Sequence, residues 1–212
     1  PGYAEGERKY KLLVVNDGAA WLSKGLMANS LDNLVGHGVA PIVVAFVPAS
    51  DQWWLEGGGS RTGDYARMLA KELVPALEQR YRLEAQPASR AVLGLRYFGL
   101  TGAYAALAYP DVFGGAALQS VYLGLGFGDE LEQLIRGHAG PATRFYLDWN
   151  RYDERSTDRG WNLAKDSGRL AEMLKQGGYA VTGGEVLDSR GWGGWRNRTD
   201  RMLRALFPEP AK

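Results

Sequence analysis

The stretch AVLGLRYFGLTGAYAALAYPDVFGGAALQS, residues 91–120, decides the fold. It opens with an apolar run, passes through a corner at Gly94-Leu95-Arg96-Tyr97-Phe98-Gly99, continues with small and apolar residues, and ends in a second apolar run from Gly115 to Leu118. A buried strand, a helix and another buried strand in this order form the repeating unit of a parallel sheet. The stretch therefore predicts an α/β domain.

Comparable apolar runs recur along the chain, and we predict strands buried on both faces at Tyr10–Val15, Pro41–Val47, Ala91–Leu95, Gly115–Leu118, Arg144–Leu147 and Tyr179–Val186. Between them, apolar residues spaced by three or four predict helices, as in Tyr65, Met68, Leu69, Leu73, Leu77 and Tyr81 and again in Leu163, Leu170, Met173 and Leu174. Right-handed crossovers then give a mainly parallel sheet between two layers of helices.

Length and composition favour one domain over residues 1–212, since a single core grows to about 250 residues before it divides. The formal net charge of +1 gives no basic face for nucleic acid. We expect a soluble chain, because no apolar run reaches the roughly 18 residues of a membrane span and no signal peptide is recognisable. The compartment stays open, and a start at Pro1 fits the C-terminal part of a longer protein.

Ligands of parallel α/β sheets bind at the carboxyl ends of the strands. Four segments are expected there: Asn16–Ala19, Gly94–Gly99, Asp148–Asp153 and Asp188–Trp195. Any binding site is therefore expected to combine side chains from these four places.

Four stretches together resemble the "putative esterase" family of α/β hydrolases, which includes enterochelin esterase, esterase D and feruloyl esterase domains. They are LLVVNDGAAWL (12–22), DYARMLAKELVPALEQRYRL (64–83), residues 91–120 and GYAVTGGEVLDSRGWGGWRNR (178–198). The resemblance implies an α/β-hydrolase-type three-layer sandwich with strands in the spatial order second-first-third-fourth-fifth-sixth. It also implies that the family's two leading antiparallel strands lie before Pro1 or are absent.

The resemblance also implies where a catalytic triad would lie. The family's elbow reads Gly-x-Ser-x-Gly, and here Arg96 stands at the serine position and Phe98 at the second glycine. Arg190 stands where the family has its histidine. The acid corresponds to Asp153 or Asp148, and the oxyanion loop to Asp17-Gly18-Ala19. We therefore expect no catalytic residue at these positions.

No substitute for the lost groups is evident in the sequence. His37 and His138 precede strands, so both are expected at the end of the sheet away from the pocket. Ser120 ends the fourth strand but has no base beside it, which favours a polar strand cap. Without cysteine or a histidine cluster, we expect neither a metal nor a cofactor.

Two interpretations of the altered pocket remain open. Arg96 and Arg190 either form an internal Arg–Asp–Arg ion pair with Asp153 or Asp148 that fills the site, or bind an anionic or sugar-like ligand. The candidate binding residues are Asp17, Gly18, Ala19, Arg96, Tyr97, Asp148, Trp149, Arg190 and Trp192. The adjacent Trp53 and Trp54 are expected to contact a protein or domain partner.

These observations favour a catalytically degenerate esterase-like domain, a pseudo-hydrolase with a binding, structural or assembly role. The alternative is a carboxylic-ester hydrolase of the enterochelin esterase-like family with an unconventional active site. An interaction module of a longer protein is a third hypothesis, with Trp53 and Trp54 as its contact.

Overall fold

The structure is a computed structural model that describes residues 3–4, 6–49, 61–124, 128–137 and 143–209. Its main sheet consists of β1 Lys11–Asn16, β2 Ile42–Val47, β3 Arg90–Leu95, β4 Gly115–Gln119, β5 Arg144–Asn150 and β8 Ala180–Val186. A hairpin of β6 Arg155–Ser156 and β7 Trp161–Asn162 lies between β5 and β8 in the sequence. The sheet is parallel, in the order β2-β1-β3-β4-β5-β8. The predicted strands and their order are confirmed. The expected burial on both faces holds for the four central strands only: β2 is half-buried along its length and β8 is largely exposed, because each lies at an edge of the sheet.

Alternate residues of the central strands contribute to two separate cores, one on each face of the sheet. In β1, Leu12 and Val14 pack on one face of the sheet, whereas Leu13 and Val15 pack on the other. All four side chains are fully buried. Burial on both faces explains why the strands read as continuous apolar runs.

Helices cover both faces of the sheet and complete the three layers. One face carries α3 Thr62–Met68, a π-helical turn Leu69–Leu73, α4 Val74–Arg80, α5 Tyr97–Ala108, α6 Gly128–Gly137 and α7 Leu163–Gln176. The other carries α1 Gly18–Ser23, α2 Met27–Leu34, α8 Gly191–Asn197 and α9 Thr199–Leu206. A short 3₁₀ helix, Pro87–Ser89, leads into β3.

The π-helical turn interrupts the helix that the sequence predicts between Tyr65 and Tyr81. It ends directly before Val74-Pro75, where α4 begins. Proline lacks an N–H, and its ring clashes with the carbonyl four residues earlier in a regular helix. The wider turn relieves this clash, and the chain keeps its direction along the sheet.

Two of the predicted loops are shorter than expected. Strand β5 continues to Asn150, so Asp148 and Trp149 belong to the sheet and not to a loop after it. Similarly, Asn16 ends β1, and Gly18 already begins α1. Strand β5 can continue through Asp148 because the side chains of Gln119 and Tyr146 donate hydrogen bonds to its buried carboxylate.

Some expectations concern parts of the chain that are not described. Trp53, Trp54 and His138 lie outside the described residues. None of the described helices has both the length and the apolar character needed to cross a membrane.

Candidate functional site

The site is built around the sharp corner between β3 and α5. Arg96 takes φ 55° and ψ −114°, a conformation that side-chain-bearing residues seldom adopt. Backbone hydrogen bonds hold it: its N–H donates to the Gln119 carbonyl at 2.9 Å, and its carbonyl accepts from the Tyr122 N–H at 3.1 Å. This is the strand-to-helix geometry that raises a nucleophile above the sheet in α/β hydrolases. In this protein the side chain at that position is the guanidinium of Arg96.

The corner leaves no room for a side chain at Gly94. A Cβ atom there would lie 1.8 Å from the carbonyl oxygen of Phe98. Phe98 itself is buried, with its ring 6.2 Å from that of Tyr65. The corner therefore accommodates Phe98, which the family resemblance aligns with the second glycine of the elbow, because its side chain packs into the core beside α3.

The guanidinium of Arg96 pairs with a glutamate that the sequence analysis did not single out. Its Nη2 atom lies 3.2 Å from Oε2 of Glu154, and the two side chains are 44% and 33% exposed. Arg190 is exposed and precedes α8. Neither arginine forms an ion pair with Asp153 among the described residues. Asp148, the other acid considered, pairs with Arg198 instead. The interpretation of the pocket as an Arg–Asp–Arg ion pair of Arg96 and Arg190 is therefore wrong.

Asp153 is held by neutral donors. Its Oδ2 atom accepts from the Ser120 hydroxyl and from the Asn150 N–H at 3.2 Å, and Oδ1 accepts from the Glu154 N–H at 2.9 Å. Trp195 in turn donates its indole N–H to Ser120 Oγ at 2.9 Å. Only 3% of Asp153 is exposed. The carboxylate is thus satisfied inside the protein, without a cation.

Ser120 is the buried centre of this network. It has φ 49°, a conformation that favours glycine, and it is fully buried. Its hydroxyl contacts Asp153 and Trp195 and does not line the cleft described next. The position fits the structural strand cap expected from the sequence.

A cleft of about 500 Å³ opens in front of Arg96. Its aromatic lining consists of Tyr97, Phe98, Tyr122, Trp161, Trp192 and Trp195, and its charged lining of Asp17, Lys24, Arg96 and Arg159. Three cations therefore face one carboxylate. This composition suits a ligand that combines a planar ring with negative charge.

The aromatic rings form two edge-to-face groups. The Trp192 ring lies 5.3 Å from that of Trp21 and 5.5 Å from that of Trp195, at interplanar angles of 86° and 84°. On the hairpin side, Tyr122 and Trp161 pack at 5.9 Å and 77°. Contacts of this kind fix ring orientation, so the cleft walls are preorganised.

Only part of the sequence-predicted site comes together in this cleft. Asp17, Arg96, Tyr97 and Trp192 line it. Gly18 packs against Phe46, and Ala19 is exposed on α1. The remaining candidates, Asp148, Trp149 and Arg190, are not among its lining residues. His37 is exposed in the turn after α2, before β2.

Asp148 lies within the fold, in an ion pair that the sequence analysis missed. Arg198 Nε lies 3.1 Å from Asp148 Oδ2, and Arg198 Nη1 lies 3.1 Å from Asp188 Oδ2. Asp148 also accepts from the Tyr146 hydroxyl at 2.6 Å. Burial raises the pKa of Asp148, although Arg198 and Tyr146 act in the opposite direction. The cluster also anchors Trp195, because the side-chain amide of Gln119 donates both to the Asp148 carboxylate and to the Trp195 carbonyl.

Asp17 is the carboxylate of the cleft, and its surroundings disfavour its charge. Burial raises its pKa, although Lys24 and the Ala20 N–H act to lower it. Burial likewise raises the pKa of Tyr97, so this phenol stays protonated near neutral pH and serves as a neutral donor.

We expect Asp17→Asn to stabilise the folded protein at neutral pH. When the pKa of a carboxyl is higher in the folded than in the unfolded protein, the folded protein loses stability as the pH rises above the ordinary pKa of the group, 3.8. Asparagine removes that penalty and tolerates the left-handed conformation, φ 56° and ψ 46°. Urea unfolding from pH 3.5 to 7 should show the advantage of the variant growing with pH. An advantage that stays constant or shrinks would contradict the assignment.

The parallel sheet, the strained corner and the cleft at its carboxyl end define an α/β-hydrolase-type domain. The chain belongs to the family described as "Putative esterase", whose model matches residues 1–176. No curated protein is similar enough in sequence to match it.

Several solved structures share the fold at low sequence identity. A ferulic acid esterase has a TM-score of 0.77 and 14% identity, covering 97% of this chain and 88% of its own. An IroE-like serine hydrolase from Shewanella oneidensis has a TM-score of 0.77 and 15% identity, covering 97% and 72%. The enterobactin esterase from Shigella flexneri has a TM-score of 0.74 and 21% identity, covering 95% and 53%. The chain thus spans about half the length of that last protein.

Proposed function

We propose that this domain is a non-hydrolytic member of its family that binds a small anionic ligand in the cleft. The observation that carries the proposal is Arg96 at the raised corner position, where the family resemblance expects serine. A guanidinium is always charged and has no lone pair for nucleophilic attack, but its planar fork recognises carboxylate and phosphate.

Several features argue against hydrolysis by the family mechanism. Loss of the serine or histidine of such a triad lowers turnover about a millionfold, which leaves about 10³ to 10⁴ over water. Asp153 accepts hydrogen bonds from the Ser120 hydroxyl and from the Asn150 and Glu154 N–H groups, and among the described residues no histidine is one of its partners. Ser120 is buried behind the aromatic wall, where an ester does not reach it.

The cleft composition supports an anionic over a neutral ligand. Lys24, Arg96 and Arg159 outnumber Asp17 at the lining. The Shigella flexneri enterobactin esterase was solved in the presence of 2,3-dihydroxy-N-benzoyl-serine, which combines an aromatic ring with a carboxylate. That compound is a suitable first probe for this cleft. A sugar-like ligand would use the same rings but bring no negative charge to the cations.

The test measures hydrolysis and binding on the same preparation. We expect no turnover of p-nitrophenyl acetate or butyrate above the rate of an Arg96→Gln control, and no labelling by a fluorophosphonate. The probe should quench the tryptophan emission of the cleft in a saturable manner.

Efficient turnover together with fluorophosphonate labelling would overturn the proposal in favour of the alternative, an esterase with an unconventional site. Mass spectrometry of the labelled protein would then identify the nucleophile. Absence of both turnover and binding would leave the interaction-module hypothesis.

A further inference from the structure

Glu154 presents a carboxylate to Arg96, which lines the cleft, from a fixed backbone. Its N–H donates to Asp153 Oδ1 at 2.9 Å, and its carbonyl accepts from the Leu163 N–H at 3.0 Å. Both ends of the residue are therefore tied, one to the buried Asp153 network and one to the start of α7. The side chain reaches Arg96 from this anchored position.

The pair between Arg96 and Glu154 engages only part of the guanidinium. One contact is formed, Nη2 to Oε2 at 3.2 Å, and 44% of the arginine side chain is exposed. A guanidinium offers five N–H donors in a planar fork that suits bidentate contact with a carboxylate. Exposed pairs contribute little to stability, so another anion replaces such a partner at small cost.

We infer that Glu154 is an internal competitor for Arg96, and that the cleft selects aromatic carboxylates, whose anionic group exchanges with Glu154 on the guanidinium. The inference rests on the proposed binding function. While the cleft is empty, the Glu154 carboxylate occupies the position on Arg96 that the carboxylate of a ligand would take. A neutral aromatic compound has no charge with which to replace it. The rings of Trp161 and Trp192 line the same cleft and give the aromatic part its contacts.

The experiment compares an anion with its neutral isostere. Binding of 4-fluorobenzoate and 4-fluorobenzamide is followed by ¹⁹F NMR for the wild type, Glu154→Gln and Arg96→Gln. Glu154→Gln should strengthen benzoate binding about 2- to 5-fold and leave benzamide unchanged, because it removes the competing charge of an exposed pair. Arg96→Gln should weaken benzoate binding about tenfold or more.

The matched control is Glu185→Gln. Glu185 Oε1 lies 2.6 Å from Nε of Arg151, with side chains 39% and 54% exposed, and neither residue lines the cleft. This variant removes one carboxylate from a comparable ion pair and should leave both affinities at the wild-type value. Urea midpoints of all variants verify that each is folded.

The outcomes separate the two claims. Benzoate binding that Glu154→Gln leaves unchanged or weakens overturns the internal competitor, while the binding function stands. Equal strengthening by Glu154→Gln and Glu185→Gln also overturns it, because net charge alone would explain the gain. If neither compound binds any folded variant, the proposed function and this inference both fail.

Discussion

Replacing Arg198 by methionine is expected to lower the free energy of unfolding by about 3–5 kcal/mol, the cost of breaking a buried ion pair from one side. The side chains of Arg198 and Asp148 are 2% and 1% exposed, and their charged atoms lie 3.1 Å apart. Methionine retains much of the aliphatic stem but leaves the Asp148 carboxylate without its cation. Urea unfolding of wild type and variant, compared at equal slope, measures the loss.

Arg151→Met is the matched control for Arg198→Met. Arg151 pairs with Glu185 at the surface, where solvent screens the charges, so its replacement should change the free energy of unfolding far less than Arg198→Met does. Removing Arg198 also removes an influence that lowers the pKa of Asp148, so this already raised pKa should rise further. Stability of the Arg198 variant should therefore fall as pH rises from 4 to 7. Equal losses in both variants would contradict the buried pair.

Asp153→Asn should cost about 2–4 kcal/mol, because the carboxylate accepts hydrogen bonds from Ser120, Asn150 and Glu154 on both of its oxygens. An amide offers one acceptor oxygen, and its NH₂ group must then face a donor. Each unsatisfied buried group costs about 1–3 kcal/mol. The urea midpoint and slope again measure the change.

Two controls accompany Asp153→Asn. Asp158→Asn changes an exposed carboxylate and should stay within about 0.5 kcal/mol. Ser120→Ala combined with Asp153→Asn should cost less than the sum of the single changes, since both remove the same hydrogen bond. A loss for Asp153→Asn that Arg96→Gln relieves would instead restore the idea of an arginine partner.

The sheet was predictable because its four central strands are largely buried on both faces. Leu12 to Val15 are all fully buried, so a continuous apolar run predicts such a strand. Apolar residues spaced by three or four predict the helices between the strands. The corner at Arg96 was predictable too, since the apolar run of β3 is followed directly by the helical segment that begins at Tyr97.

The polar partners were not predictable in the same way. Arg198 ends one of the stretches that resemble the family, but nothing in that stretch points to Asp148 as its partner. Glu154 directly precedes a strand of two residues, which is too short to show a period. Whether Asp148 or Asp153 lies in the loop after β5 depends on where that strand ends. The hydrogen bonds that hold the two carboxylates come from Gln119 and Ser120, which lie at the end of a different strand, β4. Pairings across long sequence separations leave no local signal.

The aromatic cleft also offers a practical handle on this domain. The sequence contains no cysteine, so Ala20→Cys would introduce a single thiol at the cleft lining and leave Arg96 in place. A fluorophore or spin label attached there would report on cleft occupancy from one defined position, without any background labelling elsewhere in the chain.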